Sequence, residues 1–414
     1  MKILLSAYAC EPGRGSEEGF GWNWSTHLAL EGHEVWVMTR VHARAQIEAA
    51  LAENPVPNLH FIYVDIPNHY KRFIKGMFGV YAHYFWWQKE VLKKAQELLP
   101  REKFDLTHHV TWGSFVGGSL LWKIDTPFVF GPVGGGQVAP EAFMGYFKHR
   151  RRHESARTFF TKRLLPHFKR LRRMLRNTDL LLATNSDTYE QGQALGAPNT
   201  KLFLDTGLPA YYFTDVPKTG FNDGVMNILW VGRLLERKAI RLALQAVSRL
   251  DVPFRMTILG DGPQEDQVEG WIRSYGLDGK VQWLGRVPWD DVKKAYREHE
   301  VFLFTSIRDS FGSQLVEAMS NGLAIVALDH HGTHDFVPDQ AGLKVPVTTV
   351  EATIDGLAAA LRTLHGNDEA LRAMSQTSLD YARTHEWSLK ASHMTELYRE
   401  VTGQTLPAPA APVT

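Results

Sequence analysis

The sequence lacks the cysteines that a disulfide framework or a cysteine-based zinc site needs. Cys10 is the one cysteine among 414 residues. Because a single thiol cannot form an internal disulfide, a reducing compartment is the expected setting of this chain.

An excess of charge of one sign is also lacking. The chain carries 46 Lys and Arg against 45 Asp and Glu, a net charge of +1. Nucleic-acid-binding proteins carry a basic footprint, so we expect no nucleic-acid partner. A chain of this length, 44% hydrophobic and 22% charged, can form two globular domains with a core each.

Long hydrophobic runs are missing as well. No stretch approaches the roughly 20 apolar residues that span a bilayer. The opening MKILLSAYACEPG has too short an apolar run for a signal peptide and no small-residue cleavage site. We therefore expect a cytoplasmic protein that contacts the inner face of the membrane only peripherally.

Several motifs of cofactor sites are absent. No D-x-D occurs, so we expect no obligatory metal. The glycine-rich stretch after the first predicted strand does not end in G-K-[ST], which excludes a Walker loop, and a clean G-x-G-x-x-G with its later acid is missing. An NAD-dependent dehydrogenase is thereby disfavoured, and we expect no cofactor.

Short apolar runs alternate with amphipathic helices in both halves of the chain, the pattern of doubly wound α/β sheets. The predicted strands of the first half are residues 2–7, 34–39, 60–64, 106–110, 127–131 and 180–184. Those of the second half are residues 226–231, 255–259, 281–284, 301–304 and 323–328. Two Rossmann-like domains facing one another would bind ligands in a shared cleft, beyond the carboxyl ends of their strands.

The predicted domain boundary lies where this alternation breaks. The chain after residue 206 is rich in Pro, Gly and Asp and has no periodicity, as linkers do. We predict an N-terminal domain over residues 1–206, a linker over 207–225, a C-terminal domain over 226–385, a helix over 386–403 and a disordered tail over 404–414.

One segment of the second half combines two acids with a glycine turn. Residues 305–327, TSIRDSFGSQLVEAMSNGLAIVA, place Asp309 and Glu317 on either side of a predicted strand-to-helix mouth, the helix covering 314–319. Helix amides suit a phosphate there, and carboxylates suit sugar hydroxyls. The alternative is a capped surface helix whose acids are solvated.

A pair of cations follows the first strand of the predicted C-terminal domain. In NILWVGRLLERKAI the chain passes through Gly232 into a helix, and Arg233 and Lys238 bracket the turn. Arg offers a planar fork and Lys a point charge, so together they can stabilise a departing diphosphate. A solvated basic helix start is the alternative.

The acid segment resembles the signature of retaining glycosyltransferases of family 4, in which two acids in the pattern E-x7-E surround Gly-Phe-Gly. Here Asp309 stands in place of the usual Glu and Ser310 in place of the usual Gly. The resemblance implies that Asp309 faces the donor sugar, together with the backbone at Phe311 and Gly312. It also implies that Glu317 holds the nucleotide ribose.

The resemblance covers nearly the whole chain and implies a GT-B fold. The cation pair matches the family's G-R-x4-K, and Gly260 and Asp261 match the turn near the phosphates. Val287 falls in the loop whose backbone contacts the base. Gly15 falls in the glycine loop against the donor phosphate and the acceptor. By this resemblance the N-terminal domain faces the acceptor and the C-terminal domain binds the nucleotide sugar. The helix over residues 386–403 crosses back to the N-terminal domain. For Gly15 and the Gly260 turn, ordinary loop punctuation remains the alternative.

Two histidines end a predicted strand in FDLTHHVTWG. His108 and His109 point to opposite faces, so only one can face a cleft. Relatives often carry H-x-H, whose second position here is Val110. We predict His109 as the catalytic candidate because it lies nearer the loop, and a hydrogen-bonded core histidine is the alternative.

A basic amphipathic stretch spans residues 148–176, where Lys and Arg alternate with Phe and Leu. Such a stretch can lie on an anionic bilayer or steer an anionic lipid-phosphate acceptor. The alternative is a solvated helix face above an apolar core stripe.

The motifs together predict a retaining, metal-independent hexosyltransferase. It would move a hexose from a nucleotide diphosphate sugar, its co-substrate, to a hydroxyl of a glycan or lipid-linked acceptor in polysaccharide or lipid-linked glycan synthesis. Arg233, Lys238, Asp309 and His109 are its predicted catalytic residues. The alternatives are an epimerase or phosphorylase of the same fold, and a nucleotide-sugar-binding or membrane-docked scaffold with little activity.

Overall fold

In the computed structural model, residues 1–71 and 76–404 are described, except for the side chains of residues 71–78 and 222. Apart from residue 404, the predicted disordered tail lies outside the described residues. The chain forms two compact units. Unit 1 contains Met1–Gly136, Leu164–Gly207 and the chain from Trp387 onward, and unit 2 contains Gln137–Arg163 and Leu208–Glu386.

Each unit is built on one parallel sheet. The seven strands of unit 1 are β1 Lys2–Ala7, β2 Glu34–Arg40, β3 Leu59–Val64, β4 Leu106–Thr111, β5 Phe128–Val133, β6 Leu180–Ala183 and β7 Thr200–Leu202, in the order β3-β2-β1-β4-β5-β6-β7. The six strands of unit 2 are β8 Met226–Val231, β9 Phe254–Leu259, β10 Val281–Trp283, β11 Val301–Phe304, β12 Ala324–Asp329 and β13 Gly342–Pro346, in the order β10-β9-β8-β11-β12-β13.

Fifteen α-helices accompany these strands within the described residues. They are α1 Ser16–Leu30, α2 Arg44–Glu53, α3 Asn68–Lys71, α4 Gly76–Leu98, α5 Arg151–Phe159, α6 Lys169–Arg176, α7 Ser186–Ala194, α8 Ile240–Val247, α9 Glu265–Ser274, α10 Trp289–Glu298, α11 Ser313–Met319, α12 His331–Phe336, α13 Val350–Leu364, α14 Asp368–Arg383 and α15 Trp387–Thr402. None of the helices in this part of the chain combines the length and the apolar composition of a membrane span.

The predicted fold class, α/β with two Rossmann-like domains, is confirmed. Central strands such as β4 and β11 are buried along their whole length, because helices cover both faces of a parallel sheet. The sequence analysis missed β7 and β13. Both lie at sheet edges and are short or rich in polar residues, so they lack the apolar signal of central strands.

Gln137–Arg163 packs with unit 2, although the sequence analysis placed it in the N-terminal domain over residues 1–206. Phe143 and Phe147 are buried in the hydrophobic core of unit 2. The Tyr146 hydroxyl donates a hydrogen bond of 2.6 Å to Gln245 of α8. Long-range apolar contacts of this kind leave no periodic signal in the sequence.

The chain after residue 207 also rests on unit 2. The backbone N–H of Leu208 donates a hydrogen bond of 2.9 Å to the His385 carbonyl. The backbone N–H of Lys218 donates a hydrogen bond of 2.8 Å to the Ser375 hydroxyl. From Trp387 the chain returns to unit 1, where α15 buries Trp387 and Tyr398 in the core.

Candidate functional site

Three loops of unit 2 meet at one edge of its sheet. They begin at Gly232 after β8, at Gly260 after β9 and at Thr305 after β11. Because β8 lies between β9 and β11 in a parallel sheet, the carboxyl ends of these strands are neighbours. Ligands of open α/β sheets bind at such an edge.

Asp309 is the centre of a cluster of charges at this edge. Its Oδ2 accepts a bond from the Lys238 ammonium and lies 2.9 Å from Nη1 of Arg237. The Ser306 hydroxyl donates to the same oxygen at 3.2 Å. Lys238 is 8% exposed and Asp309 20% exposed, so these charges are largely removed from water.

The charges of the cluster set one another's protonation. Burial by itself would raise the pKa of Asp309, but the Lys238 ammonium and the Arg237 guanidinium outweigh it and hold that pKa well below its usual range. Burial lowers the pKa of Lys238, and Asp309 opposes this shift. Asp309 is therefore a carboxylate at neutral pH.

The backbone beneath Lys238 is strained. Ala239 adopts a left-handed conformation, with φ of 50°, which non-glycine residues rarely adopt. The Thr305 hydroxyl lies 3.2 Å from the carbonyl oxygens of Lys238 and Ala239, and the Ser306 hydroxyl donates to the Arg237 carbonyl at 3.3 Å. Strain held by surrounding contacts is common at binding sites.

Glu317 lies on α11 and is 8% exposed. The Tyr296 hydroxyl donates a hydrogen bond of 3.0 Å to Oε2 of Glu317. Burial raises the pKa of Glu317 to about 6, although Tyr296, Ser313 and Lys238 favour the carboxylate. At pH 7 the side chain is thus an anion that can accept hydrogen bonds from hydroxyl groups.

The loops of Gly232 and Gly260 touch backbone to backbone. A Cβ on Gly260 would lie 1.9 Å from the Gly232 carbonyl oxygen, and Gly260 has φ of +136°. Both features require glycine for the packing of the chain itself. Arg233, 64% exposed, places Nε 3.3 Å from Oδ1 of Asp261.

Three further predicted donor residues lie on loops of the same unit. Phe311 is 2% exposed and packs edge-to-face on Phe336, so its side chain belongs to the core and only its backbone can face a ligand. Gly312 has φ of +116° and precedes α11. Val287 is half-buried in the loop after β10.

In unit 1, Gly15 precedes α1 with φ of −90°, and a Cβ added to it would meet no atom of the described residues within 4 Å. Its conformation is open to other residues. The strain sits at Ser16, with φ of +59°. Glu17 beside it accepts the Gly113 N–H at 2.6 Å, and burial raises its pKa.

Both histidines of β4 are completely buried in unit 1. His108 contacts the Tyr398 hydroxyl and the Gly131 carbonyl, each at 2.6 Å. His109 contacts the Ser6 hydroxyl at 3.0 Å and the Tyr84 hydroxyl at 3.1 Å. Burial lowers the pKa of each to about 3. A neutral imidazole with both nitrogens engaged cannot exchange a proton with substrate, so the structure favours the alternative in which His109 is a core histidine.

The basic stretch of residues 148–176 is not one helix. It comprises α5, a π-helical turn at Phe160–Leu164, a 3₁₀ turn at Leu165–His167 and α6, and it passes from unit 2 to unit 1 after Arg163. In α6, Leu171, Met174 and Leu175 are buried. The apolar stripe of α6 is therefore part of the unit 1 core.

Sequence reasoning missed two contact residues of the site. Arg237 contacts Asp309 directly, whereas the predicted Arg233 contacts Asp261. The adjacent Arg237-Lys238 pair was the available signal. Tyr296, the hydrogen-bond donor to Glu317, lies on α10 and had no local signal.

The chain is similar in sequence to known glycosyltransferases. Residues 213–378 match the family model "Glycosyl transferases group 1". The putative colanic acid biosynthesis glycosyltransferase WcaL of Escherichia coli K12 is 29% identical over 211 residues, 48% of this chain and 52% of WcaL. The chain spans about half the length of the curated relatives it matches.

Solved structures share the fold over almost the entire chain. Sucrose-phosphate synthase from Thermosynechococcus elongatus superposes with a TM-score of 0.65 at 17% identity, covering 98% of this chain and all of that one. HepE of Anabaena, in complex with UDP-glucose, gives 0.62 at 17% identity over 97% of this chain and all of HepE. At these identities the likeness supports the GT-B fold alone.

Proposed function

We propose that this protein is a retaining glycosyltransferase that moves a hexose from a nucleoside diphosphate sugar to a hydroxyl of a glycan or lipid-linked acceptor. The observation that carries the proposal is the buried cluster of Lys238, Arg237 and Asp309 at the carboxyl edge of the unit 2 sheet. The family match over residues 213–378 and the name of WcaL support glycan synthesis. The structure of HepE contains UDP-glucose, so UDP-hexoses are the first donors to test.

Cations at this edge of the sheet can stabilise the negative charge of a leaving diphosphate. Lys238 and Arg233 neutralise its charge, and the diphosphate competes with Asp309 for the Lys238 ammonium. The bond between hexose C1 and the phosphate oxygen breaks, and a bond forms from the acceptor oxygen to C1. The acceptor proton passes to the departing phosphate oxygen, so that the nucleoside diphosphate leaves and no protein base is needed.

Two acids orient the donor. Asp309 accepts hydrogen bonds from the hexose hydroxyls, and the backbone of Phe311 and Gly312 donates to them. Glu317, ionised at pH 7, accepts hydrogen bonds from the ribose hydroxyls. Gly260, Asp261 and Val287 border the phosphates and the base, and Gly15 of unit 1 remains a proposed donor contact. These steps use no metal and no cofactor beyond the donor.

The basic helix α6 is a proposed point of peripheral contact with an anionic membrane. Since its apolar stripe is buried, its exposed Lys169, Arg170, Arg173 and Arg176 attach by charge and not by insertion. This attachment weakens as salt screens the charges.

The proposal is tested by donor turnover in the presence of chelator, with methanol as a small hydroxyl acceptor. We expect UDP release from an α-linked UDP-hexose and a methyl α-hexoside by NMR. Arg233→Ala should lower kcat/KM by about 10²-fold to 10³-fold. Arg249→Ala, a half-buried position after α8 that pairs with Glu351 and Asp355, should not. A β-linked product, or loss of turnover on chelation, contradicts the proposal.

A scaffold with little activity is the second candidate, since Asp309 and Ser310 depart from the family pattern and His109 is buried. Binding of UDP-hexose without any release of UDP would favour it over the transferase.

A further inference from the structure

The residue before Asp309 is tied to the segment Gln137–Arg163 by a buried ion pair. Nε of Arg308 lies 2.7 Å from Oε1 of Glu154 on α5. The Glu154 side chain is 3% exposed and that of Arg308 18% exposed, so salt screens the pair little. Nη1 of Arg157 lies 3.9 Å from the same carboxylate oxygen. Glu154 therefore offsets the charges of two guanidinium groups beside the Asp309 loop.

The Arg308 side of this loop is linked to the charge cluster. Burial and the neighbouring Arg157 lower the pKa of Arg308 to about 10, and Glu154 opposes this shift. The Arg308 carbonyl accepts a hydrogen bond of 3.3 Å from Nη1 of Arg237, the nitrogen that also contacts Asp309. Loss of the Glu154 carboxylate would leave a cation buried beside Arg157, and its displacement would carry Arg237 and Asp309 with it.

The residue after Asp309 is tied to the same segment. Nε2 of Gln137 donates a hydrogen bond of 2.9 Å to the Ser310 hydroxyl. Gln137 is buried, and its carbonyl accepts a hydrogen bond of 3.0 Å from Nη1 of Arg157. Ser310 stands where the family pattern has Gly, which has no side chain to accept such a bond. The departure from the pattern thus adds a fixed point next to Asp309.

We propose that Glu154 and Gln137 are positioning residues that set Asp309 for the hexose hydroxyls of the donor. The inference rests on the proposed function, because it concerns the step in which Asp309 orients the hexose. Each residue acts through a neighbour of Asp309 in the chain. Asp309 is one methylene shorter than the usual Glu, so its carboxylate has less freedom to find the hydroxyls, and backbone held on both sides compensates.

Isothermal titration of the full chain separates the hexose from the nucleotide. The probes are UDP-glucose, GDP-mannose and ADP-glucose, each compared with its free nucleoside diphosphate. For the probe that the wild type binds, Glu154→Gln and Ser310→Gly should weaken the sugar nucleotide about tenfold and leave the free diphosphate within about twofold. Ser310→Thr keeps the hydroxyl and should bind as the wild type does. Glu141→Gln, at an exposed acid of the same segment, is the matched control and should change neither affinity.

Gln137→Ala keeps the test valid if Glu154→Gln fails to fold, and it should lower kcat for release of the nucleoside diphosphate about tenfold. An unchanged ratio of the two Kd values in Glu154→Gln, Gln137→Ala and Ser310→Gly overturns the inference. Equal weakening of the sugar nucleotide and the free diphosphate also overturns it, because it indicates a structural role alone.

The proposed function fails in a different way. A wild type that binds the sugar nucleotide without releasing the diphosphate, while the ratio of Kd values still changes in the variants, contradicts the transferase and supports the positioning of Asp309. Absence of binding of every probe contradicts both.

Discussion

At the scale of single residues, Lys238 and Asp309 each favour the ionised form of the other. Asp309→Ala leaves the ammonium of Lys238, 8% exposed, without its nearest counter-charge. We expect the free energy of unfolding in urea to fall by about 3–5 kcal/mol. The double variant Lys238→Met with Asp309→Ala should recover most of that loss. Additive losses in the double variant would show that the two charges do not depend on each other.

Glu317 gives the protein a specific pH dependence. Burial raises its pKa from an ordinary 4.5 to about 6, so the folded state binds more protons than the unfolded state between these pH values. The free energy of unfolding, measured relative to Glu317→Gln, should therefore fall by about 2 kcal/mol as pH rises from 4 to 7. UDP-glucose binding should instead strengthen as pH rises, because the carboxylate is protonated below pH 6. Urea unfolding and calorimetry at each pH check both, and parallel pH profiles in the two proteins would exclude Glu317 as the cause.

Part of the candidate cluster could be predicted from the sequence, and part of it was overlooked. Asp309, Lys238 and Glu317 were chosen because their chemistry and spacing are local properties of the chain, and their roles stay predictions. Arg237 was overlooked, since only the packing of the β8 loop against the β11 loop decides which arginine reaches Asp309. The burial of His109 depends on Ser6 and Tyr84, distant in sequence, and no local pattern reports it.

At the scale of elements, two glycines of neighbouring segments should respond in opposite directions to alanine. Gly260→Ala places a Cβ against the Gly232 carbonyl at positive φ, so we expect a loss of about 3 kcal/mol in unfolding free energy. Gly270 lies inside α9 with open space around it, and Gly270→Ala should stabilise by about 0.5–1 kcal/mol. Equal effects in thermal unfolding would contradict the close loop contact.

The elements that sequence analysis recovered are those with strong periodicity. Central strands such as β8 and β11 are mostly apolar, and their bounds were predicted to within a residue. β13 contains Lys344 and ends at Pro346, so its sequence lacks the apolar run that predicts a strand. The attachment of Gln137–Arg163 to unit 2 rests on Phe143, Phe147 and Glu236 and emerges only in the folded chain.

At the scale of the whole molecule, each unit has its own parallel sheet and core, and the residues proposed to hold the donor belong mainly to unit 2. The central claim is that this unit binds a nucleoside diphosphate sugar through Lys238 and Glu317. That claim does not depend on the identity of the acceptor.

The most direct test is isothermal titration of the full chain with UDP-glucose, and with GDP- and ADP-sugars, in the presence of chelator. We predict that one nucleotide class binds, that Lys238→Ala and Glu317→Ala each weaken it at least about tenfold, and that Arg249→Ala leaves it unchanged. Absence of binding to all three classes, or equal affinity in all variants, would contradict the account.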